Sequence, residues 1–182
     1  MVLPILESER LRLRMLHNTD AKSMFEYAQK DRVTKYLLWD SHTSLRQTKQ
    51  FLKHIIAKYL DGNLAWAITL KDSGEFIGMI DFSSFDHAAG IAEIAYAISD
   101  KYWGKGLITE ATQMLIDYGF NELHLERISA RCFAENIGSE RVMQKVGMTH
   151  EGTLRKAIFK KGAYHDMKIY AIITDDYKAS SK

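Results

Sequence analysis

The chain has 182 residues, 46% hydrophobic and 26% charged, with 25 basic side chains against 23 acidic ones for a formal net charge of +2. That length holds one sizeable core, the composition excludes a disordered, collagen-like or coiled-coil chain, and so small a net charge gives no polycationic field for a nucleic acid. One cysteine, Cys132, excludes a disulfide scaffold and a multi-thiolate zinc site, and no run approaches the ~18 apolar residues of a membrane span, so the expectation is a single cytoplasmic domain over residues 1–182.

In Arg10-Leu11-Arg12-Leu13-Arg14-Met15-Leu16 apolar and basic residues alternate, the period of a half-exposed strand. Asn18-Thr19-Asp20 supplies caps for a helix with Ala21, Met24, Phe25 and Ala28 at helical spacing. Past Thr43-Ser44, the stripe Phe51, Leu52, Ile55, Ile56, Tyr59 and Leu60 predicts a second helix. The period changes after Asp61-Gly62. Residues 64–70 and 76–85 are strand-like runs around the turn Lys71-Asp72-Ser73-Gly74, which predicts an antiparallel hairpin, and 91–99 is a third run. Tyr102-Trp103-Gly104-Lys105-Gly106 then leads into a helix over about 107–121, with Ile108, Ala111, Leu115 and Tyr118 inward. Residues 128–133 read as a strand, 137–146 as a helix closed by Gly147, and 148–154 and 167–174 as closing strands. This order predicts a mixed α/β (α+β) sheet flanked by helices.

Gly104 and Gly106 stand between a strand and a helix, where backbone N–H groups approach a ligand without side-chain obstruction. Such helix-terminal amides are otherwise unpaired, and an anion such as a pyrophosphate satisfies them. A tight turn into a core helix uses the same glycines. The Walker spacing is absent and Thr109 occupies the third glycine position of the dinucleotide fingerprint, which disfavours both nucleotide readings, a dinucleotide-dependent oxidoreductase included.

The run Lys101-Tyr102-Trp103-Gly104-Lys105-Gly106-Leu107-Ile108-Thr109-Glu110-Ala111 resembles the acetyl-coenzyme A pyrophosphate loop of the GCN5-related N-acetyltransferases (GNAT). A second run, 127–139, with Asn136 before a helix and Lys145-Val146-Gly147-Met148 at its exit, is similar to the segment that follows in that family. Glu7-Ser8-Glu9-Arg10-Leu11-Arg12-Leu13-Arg14, Gly152-Thr153-Leu154-Arg155 and Tyr164-His165-Asp166 resemble the RimJ/RimL-like branch, which acetylates ribosomal-protein N-termini. The resemblance implies a mostly antiparallel sheet splayed open between its fourth strand, 91–99, and its fifth, with acetyl-coenzyme A as co-substrate; the scattered histidines, none in a His-x-x-x-His pair or a compact carboxylate cluster, predict no metal. The resemblance places pantetheine amides on the backbone of Ala97 and Ile98, and pyrophosphate on the amides of Trp103, Gly104, Lys105, Gly106, Leu107 and Ile108. Lys101 and Lys105 add charge nearby, and Asn136 is a further coenzyme contact or simply a helix cap. It also allows a homodimer through the edge of the C-terminal strands.

Acetyl transfer from a thioester to an amine needs a neutral nucleophile and an oxyanion stabiliser, with no covalent enzyme intermediate. Glu93, in the fourth strand, is the carboxylate best placed in the chain to take a proton from an ammonium, directly or through water, unless it merely faces solvent. Many family members carry a Tyr seven residues beyond the Asn; here that position is Met143, which donates no proton. Ser139 is the remaining candidate to hydrogen-bond the departing sulfur, or else it caps the helix. Cys132 reads as a buried structural thiol and Asp166 as a structural carboxylate. Trp66, Trp39 and Tyr36 either line an acceptor cleft or fill the core. Lys156, Lys160 and Lys161 form a basic edge beside a hairpin turn, solvated or docking an acidic acceptor protein or an RNA surface. The expected function is acetyl transfer to a primary amine, a protein N-terminus or a small molecule, with a non-catalytic acyl-coenzyme A-binding module as the alternative; the missing Tyr favours the latter.

Overall fold

The computed structural model describes residues 2–180. Its strands are β1 (Leu6–Glu7), β2 (Leu11–Arg14), β3 (Leu64–Leu70), β4 (Phe76–Asp86), β5 (Ile91–Ile98), β6 (Arg127–Phe133), β7 (Thr149–Lys160) and β8 (Ala163–Ile173). The α-helices are α1 (Ala21–Ala28), α2 (Asp31–Thr34), α3 (Leu45–Ala57), α4 (Leu107–Asn121), α5 (Ile137–Lys145) and α6 (Thr174–Ser180). Strand order is β1-β2-β3-β4-β5-β6-β8-β7. The β5–β6 pair is parallel, with α4 as the crossover that parallel neighbours require, whereas β1–β2, β2–β3, β3–β4, β6–β8 and β7–β8 are antiparallel. The mixed, mostly antiparallel sheet with flanking helices is the architecture anticipated above. None of the described helices is long and apolar enough to cross a membrane.

The chain divides into two compact units, one made of the segment ending at Phe82 with Tyr96–Ala111, the other of Ser83–Ala95 with the segment starting at Thr112. In the first, Leu11 and Leu13 are fully buried while Arg12 is exposed, so alternation in the sequence becomes the two faces of β2. Strand β3 is buried on both faces from Leu64 to Thr69. Trp66 is fully buried there, edge-on to Phe82, with its indole N–H donating to the Pro4 carbonyl at 3.0 Å. Trp66 is therefore core and not acceptor lining. Ser44 caps α3, accepting from the Gln47 N–H. Its apolar stripe ends earlier than expected: after Ala57 the chain tightens into a 3-10 turn, Lys58–Asp61, whose different angular step swings Leu60 out to solvent. Tyr59 stays in, its hydroxyl donating to the Ala65 carbonyl at 2.7 Å and accepting from the Leu16 N–H at 3.0 Å.

In the second unit, β5 and β6 are in register from Ile91↔Arg127 to Ile94↔Ala130, while β6 pairs with β8 over its whole length, Arg127↔Ile173 to Phe133↔Met167. Strands β7 and β8 extend well past the expected 148–154 and 167–174. No residue of β7 is buried, so no apolar alternation announces it; hydrogen bonding to β8 alone makes it a strand.

Candidate active site

The cofactor-binding candidates Ala97, Ile98, Trp103, Gly104, Lys105, Gly106, Leu107 and Ile108 all fall in the first unit. A 3-10 turn at Asp100–Tyr102 follows β5, and the loop then passes through Gly104 (φ 74°) and Gly106 (φ 76°) into α4. Only glycine adopts that left-handed conformation without strain. The Glu110 N–H donates to the Gly106 carbonyl at 3.1 Å and opens the helical ladder, so the loop amides lie at the electropositive end of the 15-residue helix α4.

Three sets of contacts fix this loop. At its exit, the Glu110 carboxylate accepts from the Ser8 hydroxyl at 2.7 Å, from the Arg10 N–H at 3.2 Å and from Arg10 Nε at 2.7 Å, while Arg10 Nη1 donates to the Lys105 carbonyl at 3.0 Å. Burial alone would raise the Glu110 pKa; the Ser8 and Arg10 bonds outweigh it and hold the carboxyl below its usual range. At its entrance, Asp100, with a side chain 1% exposed, accepts from Lys30 at 2.8 Å and from Arg32. Lys101 pairs with Glu26 at 3.0 Å, and the Lys105 ammonium lies 5.0 Å from the centre of the Tyr102 ring. Both lysines that charge alone pointed to thus have protein partners. Below the loop, a Cβ on Gly78 would stand 2.4 Å from the Ala97 carbonyl oxygen and 2.9 Å from Ile98 Cα, so only glycine permits this approach of β4 to the Ala97–Ile98 backbone. The Ile98 carbonyl accepts from the half-exposed Trp103 indole at 3.1 Å.

The catalytic candidates Glu93 and Ser139, with Asn136, belong to the second unit. Glu93 on β5 pairs with Arg131 of β6, Nε at 3.0 Å. Its charge is already partnered. Asn136 is the N-cap of α5, its Oδ1 accepting from the Ser139 N–H at 3.2 Å. Met143 is fully buried, so the position where the family carries a Tyr is a packing position here. Cys132 is buried and its thiol is pushed up to about 11, chiefly by burial, which makes it inert as a nucleophile at neutral pH. Asp166 Oδ1 accepts from the Lys156 backbone N–H at 2.7 Å, a structural role.

Residues missed in the sequence are Gly78, Ser8, Arg10, Glu110 and Asp100. Arg10 and Glu110 lie a hundred positions apart, and no local spacing reveals such a pair. The one available signal was Glu110 in the first turn of a helix, where an acid complements the dipole.

A glycine-turned strand-to-helix loop with its backbone held from both sides has the geometry of a backbone anion site at a helix N-terminus. The model of the acetyltransferase (GNAT) domain matches residues 10–149. The uncharacterized N-acetyltransferase YoaA of Bacillus subtilis (strain 168) is 33% identical over 171 residues, covering 93% of this chain and 97% of that protein. The ribosomal-protein-serine acetyltransferase of Escherichia coli (strain K12) is 28% identical, covering 92% of this chain and 95% of that protein. The crystal structure of an acetyltransferase (GNAT family) from Bacillus anthracis superposes with a TM-score of 0.86 at 30% identity, covering 94% of this chain and 99% of that one. The chain belongs to the GNAT acetyltransferase family and is an N-acetyltransferase.

Proposed function

We propose that this enzyme transfers acetyl from acetyl-coenzyme A directly to the primary amine of a protein N-terminus, a reading supported by its Escherichia coli relative being named a ribosomal-protein-serine acetyltransferase. The observation that carries the donor is the Trp103–Gly106 loop, whose two left-handed glycines turn backbone amides to the start of α4. In this reading the amides of Trp103, Gly104, Lys105, Gly106, Leu107 and Ile108 take the pyrophosphate. The Ala97–Ile98 backbone, beyond the stretch of β5 in register with β6, takes the pantetheine amides as an added strand would, and Asn136 adds a coenzyme contact.

Glu93 accepts the proton of the incoming ammonium, directly or through water, with Arg131 holding its carboxylate. The neutral amine attacks the thioester carbonyl, the tetrahedral intermediate collapses as the C–S bond breaks, the surplus proton on the attacking nitrogen passes to the departing sulfur to give an amide and free thiol, and Ser139 hydrogen-bonds that sulfur. With Met143 buried, no phenol at that position competes for this role.

The test is a free-thiol release assay over peptides with different N-terminal residues and a set of small amines, run on the wild type, Glu93→Gln and Ser139→Ala. Turnover on peptides, with a kcat loss of about 100-fold in Glu93→Gln, is expected. Undiminished turnover in that variant leaves Glu93 as the partner of Arg131 only, and turnover confined to small amines removes the protein acceptor.

A further inference from the structure

Helix α3 is the one described α-helix without a carboxylate. From Ser41 to Leu60 the sequence contains Arg46, Lys49, Lys53, His54 and Lys58 and neither Asp nor Glu, in a chain whose formal net charge is only +2. The near-neutral balance that spoke against a polyanionic partner is an average over a segregated distribution. Elsewhere cations are paired, Arg10 with Glu110, Arg14 with Asp20 and Arg127 with Glu151. Among the described residues the side chains of Arg46, Lys49, Lys53 and Lys58 make no hydrogen bond, ion pair or ring contact.

At 3.6 residues per turn, Arg46, Lys49 and Lys53 fall within about 60° of one another and span about 10 Å of the helix axis. All three are exposed, with exposed Gln50 and Ala57 on the same stripe. The opposite face is closed: Thr48 and Leu52 are fully buried, the Thr48 hydroxyl lies 2.8 Å from His42 Nδ1, and Phe51 packs against Trp39 and His42. The stripe works against the helix that carries it. Lys49 and Lys53 are like charges four residues apart, Arg46 and Lys49 are three apart, and Arg46 stands in the first turn, where the helix dipole disfavours a cation. No described carboxylate pairs with them to offset this repulsion, and a bound polyanion does.

The chemistry of the stripe narrows the occupant. A helix lying in a membrane surface needs a free apolar face, whereas that of α3 is packed, and Leu60, exposed past its end, is a single side chain. Protein interfaces centre on aromatic, Met and Arg anchors and are depleted of Lys, whereas this stripe is mostly Lys with no apolar anchor. Single-stranded bases stack on exposed rings, which the stripe lacks. Lys, Arg and Gln are side chains that contact a phosphate backbone. Because α3 packs along α1 it lies flat and does not project into a groove, which suits an A-form duplex, recognised by its shape and backbone.

We propose that the exposed stripe of α3, Arg46, Lys49 and Lys53 with Gln50 among them, docks the phosphate backbone of double-helical RNA. The stripe and the Trp103–Gly106 loop belong to different elements of the same unit, so this surface gives the N-acetyltransferase an RNA tether that takes no part in the chemistry. Binding, not turnover, tests it, and the outcome is independent of which amine is acetylated. Fluorescence anisotropy of a short labelled RNA duplex is measured against salt for the full-length wild type and for a variant carrying Arg46→Gln, Lys49→Gln and Lys53→Gln. A melting temperature no lower than that of the wild type, as the removal of like-charge pairs implies, certifies the variant's fold. Binding about tenfold weaker in the variant is expected, with the slope of log affinity against log salt shallower by about 3, roughly one for each cation removed. A second variant, Lys49→Glu, sets an opposite charge four residues before Lys53, which supports the helix, and it too loses affinity for RNA. Equal affinity and slope in wild type and variants, or no RNA binding by the wild type at low salt, overturns the proposal and leaves α3 with a solvated face. Tighter binding of the matching DNA duplex, of oligoglutamate or of phosphatidylserine vesicles overturns it as well, by giving the surface to another occupant.

Discussion

The loop from Asp100 to Glu110 and the segment from Arg131 to Met143 are held by different means. The loop is anchored by side chains far away in sequence: Lys30 and Arg32 on the buried Asp100, Ser8 and Arg10 on Glu110, and a steric slot at Gly78 under Ala97. In the second segment the anchors on the candidate catalytic side chains are local or exposed, Asn136 capping Ser139 three residues on and Arg131 paired with Glu93 at the surface of adjacent strands. Binding a polyanion on backbone amides demands a preset backbone, because a loop that must order itself on binding loses that entropy from the affinity. Proton transfer from an amine, the role proposed for Glu93, demands only a side chain within reach.

The largest effect belongs to Asp100. Its carboxylate is almost wholly buried between two cations, so Asp100→Ala is expected to cost about 3 kcal/mol, read by urea denaturation. A cost under about 1 kcal/mol would make this clamp equivalent to a surface pair and erase the contrast. Gly78→Ala comes next. With the Ala97 oxygen only 2.4 Å from the new methyl, the strand must shift, at about 1–3 kcal/mol, and the melting-temperature gain from acetyl-coenzyme A should shrink with it. An unchanged gain would separate the Ala97–Ile98 backbone from coenzyme binding. The smallest effect is Arg131→Ala, expected to change stability by less than about 1 kcal/mol because the pair is partly exposed. A larger loss would show that the second segment is as tightly clamped as the first.

Much of the architecture was legible because burial and periodicity coincide. The helices over 107–121 and 137–146, the strands 64–70 and 128–133 and the glycine turn between strand and helix lie where the structure has them, to within a residue. Elements without an apolar signature were not legible. The outer parts of β7 and β8 are strands through hydrogen bonds and not through burial, and α2 is a single turn. Leu60 broke a stripe that otherwise held, since one turn of 3-10 helix is enough to rotate a side chain away.

By itself the sequence determined the class of this protein: the glycine turn at the mouth of a helix and the ordered second segment together carried the resemblance to the family that the comparisons show. Tertiary structure alone decided how that turn is held and which aromatic is core. Arg10 meets Glu110, Lys30 meets Asp100 and Gly78 clears Ala97 only after strands far apart in the chain are brought side by side. Charge pairing and steric clearance depend on distance in space, and a linear sequence carries no measure of it beyond the few residues of a turn.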